Sequence, residues 1–373
     1  MIPVCEPGVG QHEEEYLLDA FRSGWISSSG HYLDRFEHEW AAYCDMPQGI
    51  AVSNGSVALL VATRLLDIGP GDEVIMPAFT IISCAQAVTE LGATPVLIDS
   101  DLRTWQMDVS QIEPKITHRT KAIMVVHIYG HPADMDPILE LSHSYDIPII
   151  EDAAEAHGAI YKGRKCGGMG KISTFSFYAN KLITTGEGGM ILCRDEETAR
   201  NARSLKNLCF QSQRRFYHKE LGYNFRLTNL QAALGVAQLE RIEEIVLRKR
   251  SIAASYTERL SSIRGLALPV EEPGSRNVYW VYGIVLDEAT GYDGLSFARA
   301  LCDAGIETRP FFLGMHEQPA FQEMGLFRGE RYPTAEYLAR RGLYLPTGLG
   351  ITENDIDYVC SVISDLLVSK KRG

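Results

Sequence analysis

Four short strand-like runs, at residues 73–76, 94–98, 122–126 and 147–150, alternate with helical stretches along the first half of the chain. That rhythm constrains the fold more than any other feature of the sequence. Each run is almost continuously apolar, as strands covered on both faces are. Strands separated by helices build a parallel sheet, so an α/β fold is predicted. Open sheets of this kind place ligand chemistry at the carboxyl ends of their strands.

Two such ends carry chemistry. The segment Ile147-Pro-Ile-Ile-Glu-Asp-Ala-Ala-Glu-Ala-His-Gly158 runs from a buried strand straight into Asp152. Pro148 is tolerable at the beginning of a strand, where a missing N–H costs least. By itself Asp152 reads equally as a helix N-cap. The second segment is Thr174-Phe-Ser-Phe-Tyr-Ala-Asn-Lys-Leu-Ile-Thr-Thr-Gly-Glu-Gly-Gly-Met190. It opens with strand alternation and closes on glycines that no regular element keeps in its interior. Between them sits Lys181. An isolated lysine is ordinarily a surface residue. Burial would lower its pKa and expose its lone pair, as Schiff-base chemistry requires. A strand-end lysine and a strand-end carboxylate are the two groups that pyridoxal phosphate needs, one for its aldehyde and one for its ring nitrogen. Ser53-Asn54-Gly55-Ser56 lies between a short strand and a helical stretch. It is either a plain N-cap or, through Gly55 and the Ser56 hydroxyl, an anion-binding turn.

Taken together, Glu151-Asp-Ala-Ala-Glu-Ala, the Phe175-Ser-Phe to Asn-Lys181 segment and Thr185-Gly-Glu-Gly-Gly189 resemble the sugar aminotransferases of the DegT/DnrJ/EryC1/StrS family. The resemblance runs from about Pro3 to Pro346. It implies a fold-type-I pyridoxal phosphate enzyme, with a mainly parallel α/β/α sandwich and a smaller C-terminal α+β domain. It implies Lys181 and Asp152 as catalytic residues. Glu155 is expected beside the phenolic oxygen of the cofactor. Gly55, Ser56 and Ser176 are expected around its phosphate, with Asn224 reaching that phosphate from a neighbouring subunit. The family usually carries an aromatic residue after Thr80, stacked on the ring. Here Ile81 stands in that place, and either Ile81 covers the ring or Phe79 takes part. Trp25 and Ser27 fall in a loop that the family keeps near its sugar nucleotide, although Trp25 also reads as a hydrophobic plug. Tyr129, Arg309 and His316 join the residues expected to face substrate. Arg226 serves either structural pairing or the donor carboxylate. The implied reaction moves the amino group of L-glutamate to a nucleotide-linked keto-6-deoxy sugar, with GDP-4-keto-6-deoxy-mannose the suggested acceptor. A homodimer with shared active sites is the implied assembly. Related sugar dehydratases carry histidine where Lys181 stands, which argues against that chemistry.

Elsewhere the reading is local. Residues 11–22 read as a helix with Tyr16, Leu17 and Phe21 on one face, and 33–44 as another. The histidine of His127-Ile-Tyr-Gly-His131 follows a strand and reads more readily as packed than as catalytic. Residues 161–170 form a Gly-rich hairpin or loop without P-loop spacing. Residues 211–219 are polar and basic, either a solvated loop or a place where Arg214 and Arg215 meet a diphosphate. A single helix is predicted over 239–260, strand over 278–286, and helices near 295–304 and over 353–367.

The length, 373 residues, exceeds the roughly 250–300 that one core serves, so two domains are expected, 1–240 and 241–373. The net charge of −12 argues against a nucleic-acid binder. No apolar run is long enough for a membrane span, and the first residues lack the pattern of a signal peptide. Eight scattered cysteines indicate neither a metal site nor a disulfide framework, so a cytoplasmic enzyme with reduced thiols is expected.

Overall fold

The computed structural model describes residues 1–211, 213, 214 and 216–369. Helices α1 (Gln11–Arg22) and α2 (His31–Tyr43) precede β1 (Gln48–Val52). The Ser/Asn turn then opens α3 (Gly55–Arg64), where Asn54 Oδ1 accepts the Val57 amide at 3.0 Å as an N-cap. The expected alternation follows: β2 (Glu73–Pro77), α4 (Ser83–Thr89), β3 (Thr94–Ile98), β4 (Thr120–Val126), α5 (Met135–Tyr145) and β5 (Ile149–Asp152). A hairpin of β6 (Ile160–Tyr161) and β7 (Arg164–Lys165) leads to β8 (Ile172–Ser176) and β9 (Gly189–Cys193). The large sheet has the order β1-β9-β8-β5-β4-β2-β3. From β8 to β3 every pairing is parallel, whereas β9 runs antiparallel to both its neighbours.

The remainder comprises α6 (Glu196–Leu205), α7 (Asn229–Glu240), α8 (Ile242–Leu260), β10 (Leu266–Ala267), β11 (Ser275–Arg276), β12 (Tyr282–Leu286), α9 (Gly294–Asp303), β13 (Arg309–Pro310), α10 (Pro319–Glu323), α11 (Pro333–Arg341), β14 (Gly342–Leu345) and α12 (Glu353–Ser369). Strands β10, β12, β14 and β13 form an antiparallel sheet. Its own core joins Tyr256 of α8, Phe297 of α9 and Ile363 of α12. The larger core surrounds the seven-stranded sheet and includes Phe36, Trp40, Phe175 and Phe177. Among the described residues no helix is long and apolar enough to cross a membrane.

Three local expectations are corrected. The helix predicted over 239–260 is broken at Arg241, whose backbone leaves the helical region (φ −109°, ψ 7°). Its guanidinium instead pairs with the buried Glu13 at 3.1 Å. Strand structure over 278–286 begins only at Tyr282, because Tyr279 has φ +47° and breaks the extended run. In α1 the inward residues are Glu13 and Ala20, and Phe21 is 64% exposed. Glu13 is tolerated inside because it accepts from the Gly10 amide, Gln238 and Arg241.

Candidate active site

Three strand ends meet at one cavity of about 590 Å³. The turn after β1 brings Gly55 and Ser56, the end of β5 brings Asp152, and the end of β8 brings Ser176. Lys181 enters from the loop that joins β8 to β9. Glu155 and Ile81 line the same space.

One end of the cavity is built for an anion. The amides of Gly55 and Ser56 have no acceptor among the described residues, and they open the positive end of α3. The Ser56 and Ser83 hydroxyls lie 2.8 Å apart, with Ser176 facing them across Gly55. A Cβ on Gly55 would sit 2.8 Å from the Ser176 Cβ, so a side chain there would push the two walls apart.

The other end is electrostatically poised. Asp152 is buried, and burial raises its pKa. One of its oxygens accepts the Ala154 amide at 3.0 Å and the other the weak Cys84 thiol at 3.3 Å. So sparsely served a carboxylate retains room for a cationic N–H. Lys181 Nζ stands 3.8 Å from Glu155 Oε1, and burial depresses the lysine despite that neighbour. Burial pushes Glu155 up to about 7, against the lowering effect of Lys181. Its second oxygen accepts the Tyr129 amide at 2.7 Å.

Residues beneath hold these groups in place. Glu151 accepts from the amides of Gly167, Met169 and Gly170 and from His127 Nε2, which fixes the end of β5. His127 is therefore packed and bonded. His157 donates through Nε2 to the Ser176 carbonyl at 2.8 Å, and burial holds its pKa down to about 3, so the ring stays neutral.

Seven of the residues singled out in the sequence lie off this cavity wall. Asn224 bridges to Asn207 and accepts from Arg226 Nε at 2.7 Å. Arg226 lines a separate hollow with Arg203 and Lys206. Trp25 is exposed, and its carbonyl, like that of Ser27, accepts from Asn229. Tyr129 is buried among Phe79, Phe311 and Tyr344, behind the lining residues, and its amide donates to Glu155. Arg309 pairs with Glu307 at 2.6 Å, and the buried His316 lies 3.2 Å from Glu336. Phe79 is fully buried and off the cavity wall, whereas Ile81 lines the cavity. Arg214 lies over the Tyr217 ring, while Ser212 and Arg215 fall outside the described residues. In the other direction, Ser83, Trp280, Phe312 and Tyr344 line the cavity without having been singled out. Trp280 stands in an apolar run that reads as core, and only its contact with the lysine reveals it.

Residues 7–364 match the model of the DegT/DnrJ/EryC1/StrS aminotransferase family. The chain belongs to that family. The GDP-perosamine synthase of Caulobacter vibrioides is 42% identical over 368 residues, 98% of each chain. The GDP-perosamine synthase of Escherichia coli O157:H7 is 41% identical over 99% of each chain. Among solved structures, the aminotransferase TlmJ from Streptoalloteichus hindustanus superposes with a TM-score of 0.92 at 31% identity, and all of both chains are covered. The aminotransferase is thus a fold-type-I α/β enzyme whose cofactor is pyridoxal phosphate. Its cavity fits that group: anion donors crowd one end, and a lysine and an under-bonded buried carboxylate occupy the other.

Proposed function

We propose that this aminotransferase transfers the amino group of L-glutamate to GDP-4-keto-6-deoxy-mannose, yielding GDP-perosamine. The observation that carries the reading is the match of nearly the whole chain to the Caulobacter vibrioides GDP-perosamine synthase, at 42% identity. When bound, pyridoxal phosphate supplies an aldehyde for covalent attachment and a cationic ring that withdraws electrons from the reacting carbon. Lys181 is the residue that attaches to it. The amine of Lys181 would serve as base toward the proton on the donor's Cα and, once protonated, as acid on the acceptor side. Asp152 would keep a proton on the ring nitrogen, and its scarce internal hydrogen bonding favours that task. Glu155, 3.8 Å from the Lys181 amine, would meet the cofactor's phenolic oxygen. Gly55, Ser56 and Ser176 would hold the phosphate, and Ile81 would supply an apolar wall to the ring.

The same reading makes the enzyme a cytoplasmic homodimer. Asn224 lies off its own chain's cavity, which suits a role in the site of a second copy. The exposed Phe21, Trp25 and Ile26 suit a covered face. The test is a panel of keto-sugar nucleotides offered with glutamate, with 2-oxoglutarate as the readout. GDP-4-keto-6-deoxy-mannose should give the highest kcat/KM. A dTDP- or UDP-linked keto sugar that is turned over better would replace it as the substrate.

A further inference from the structure

The amine of Lys181 has a second neighbour, which the chemistry above leaves unused. Nζ lies 3.7 Å from the centroid of the Trp280 ring and 3.8 Å from Glu155 Oε1. Among the described residues it has no hydrogen-bond acceptor, and the carboxylate and the indole face both stand close to it. The ring is fixed in place. Its Nε1 donates to the carbonyl of Asn180 at 2.7 Å, which clamps the indole to the residue immediately before the lysine. Its plane is flanked by Tyr129 and Tyr344, with centroids at 6.3 and 6.5 Å. Its backbone is pinned too. The Val278 amide donates to Gly130 O at 3.1 Å, and Gly130 (φ +96°) comes so close that a Cβ there would sit 2.9 Å from the Trp280 nitrogen.

We propose that Trp280 is a positioning residue: its ring face seats the amine of Lys181 beside Glu155 whenever that amine is not covalently engaged. The proposal rests on Lys181 being the cofactor lysine. Indole offers the strongest aromatic face for a cation, and exclusion of water strengthens the contact. Glu155, Asp152 and Cys84 act on the amine electrostatically, and the neutral His157 lies nearby. These groups supply field, and the ring supplies direction. A tethered ammonium seated between one carboxylate and one flat face swings on a short arc, so the proton is returned from a fixed place. The ring thereby opposes the loss of the ammonium that burial would otherwise cause.

The test replaces Trp280 with a ladder of fluorinated tryptophans, which empty the ring's face of negative charge while keeping its shape. The enzyme is first converted to its aminated-cofactor form, in which Lys181 is free. Acetylation of Lys181 by acetic anhydride is then followed against pH by peptide mass spectrometry. Each added fluorine should lower the midpoint, by about one unit across the ladder. The kinetic isotope effect with α-deuterated glutamate should rise in step. In Trp280→Leu the glutamate half-reaction should slow about tenfold with little change in KM, and Trp280→Phe should recover part of the loss. Should Trp280→Leu fail to fold, the isosteric ladder decides alone. A midpoint and an isotope effect that ignore the number of fluorines would overturn the proposal. Lys181→Ala separates the two readings. Loss of the covalent cofactor band together with a flat ladder would sink the ring alone, whereas a surviving band would sink the lysine assignment and the proposal with it.

Discussion

Asp152 carries the sharpest prediction at the scale of single residues. Asp152→Asn keeps the shape but cannot hold a proton on a ring nitrogen. Its kcat should fall about a hundredfold or more while the melting temperature stays near that of the parent. A variant with near-normal turnover would reduce Asp152 to a cap for the Ala154 amide. Glu155 carries a pH dependence. Its folded pKa of about 7 lies above its ordinary 4.5, so the folded chain holds the proton more tightly than the unfolded one. The stability from this group is complete below pH 4.5 and is lost as the pH rises through about 7. In thermal unfolding across that window, Glu155→Gln should flatten the curve, removing up to about 3 kcal/mol of pH-dependent change. An unaltered slope would mean that the carboxyl titrates normally. Asp152 and Lys181 were legible from the sequence because each follows a strand whose pattern is plain. Trp280 was not, since the role proposed for it depends on a contact between segments remote in the chain.

Among the elements, the start of α3 is the one most exposed to a single methyl group. Gly55→Ala puts a Cβ 2.8 Å from that of Ser176, and either the helix or the strand end must give way. Cofactor affinity, titrated by absorbance or tryptophan quenching, should drop about tenfold, with a loss of about 1–3 kcal/mol in stability. Unchanged affinity would show that the turn does not hold the phosphate. Strands β2, β3, β4 and β5 of the large sheet could be read from apolar runs to within two residues of their ends, whereas β9 was not read as a strand at all. The break at Arg241 could not, because no glycine or proline marks it and the pull comes from the distant Glu13. Tyr279 misled for a similar reason: its positive φ lies inside an aromatic, β-branched run that favours strand. We propose the junction at Arg241 as the boundary between the domains, since α7 packs with the large core and α8 contributes Tyr256 to the small one.

For the molecule as a whole, the proposed shared site predicts a particular arithmetic. Lys181→Ala and Asn224→Asp should each be inactive alone. If Asn224 serves the other copy's site, a mixed dimer concentrates both defects in one site and leaves the other intact. Mixing with confirmed subunit exchange should therefore restore up to half of the parent activity per mixed dimer. Activity that stays absent would assign Asn224 to its own chain. No reading of one chain could have settled this, because the partner surfaces belong to two.

The antiparallel β9 also has a consequence for biosynthesis. It sits between β1 and β8, yet the ribosome delivers it last of all the strands in the large sheet. Until it emerges, β1 has no neighbour in that sheet, and the turn that carries Gly55 and Ser56 cannot be brought against Ser176. A nascent chain stalled before Gly189 would display two bare strand edges, both strongly apolar, which is when chaperones would be needed most. Release of the lysine loop from the exit tunnel and closure of the sheet are then nearly one event, so a half-made polypeptide has no pocket in which to trap the cofactor.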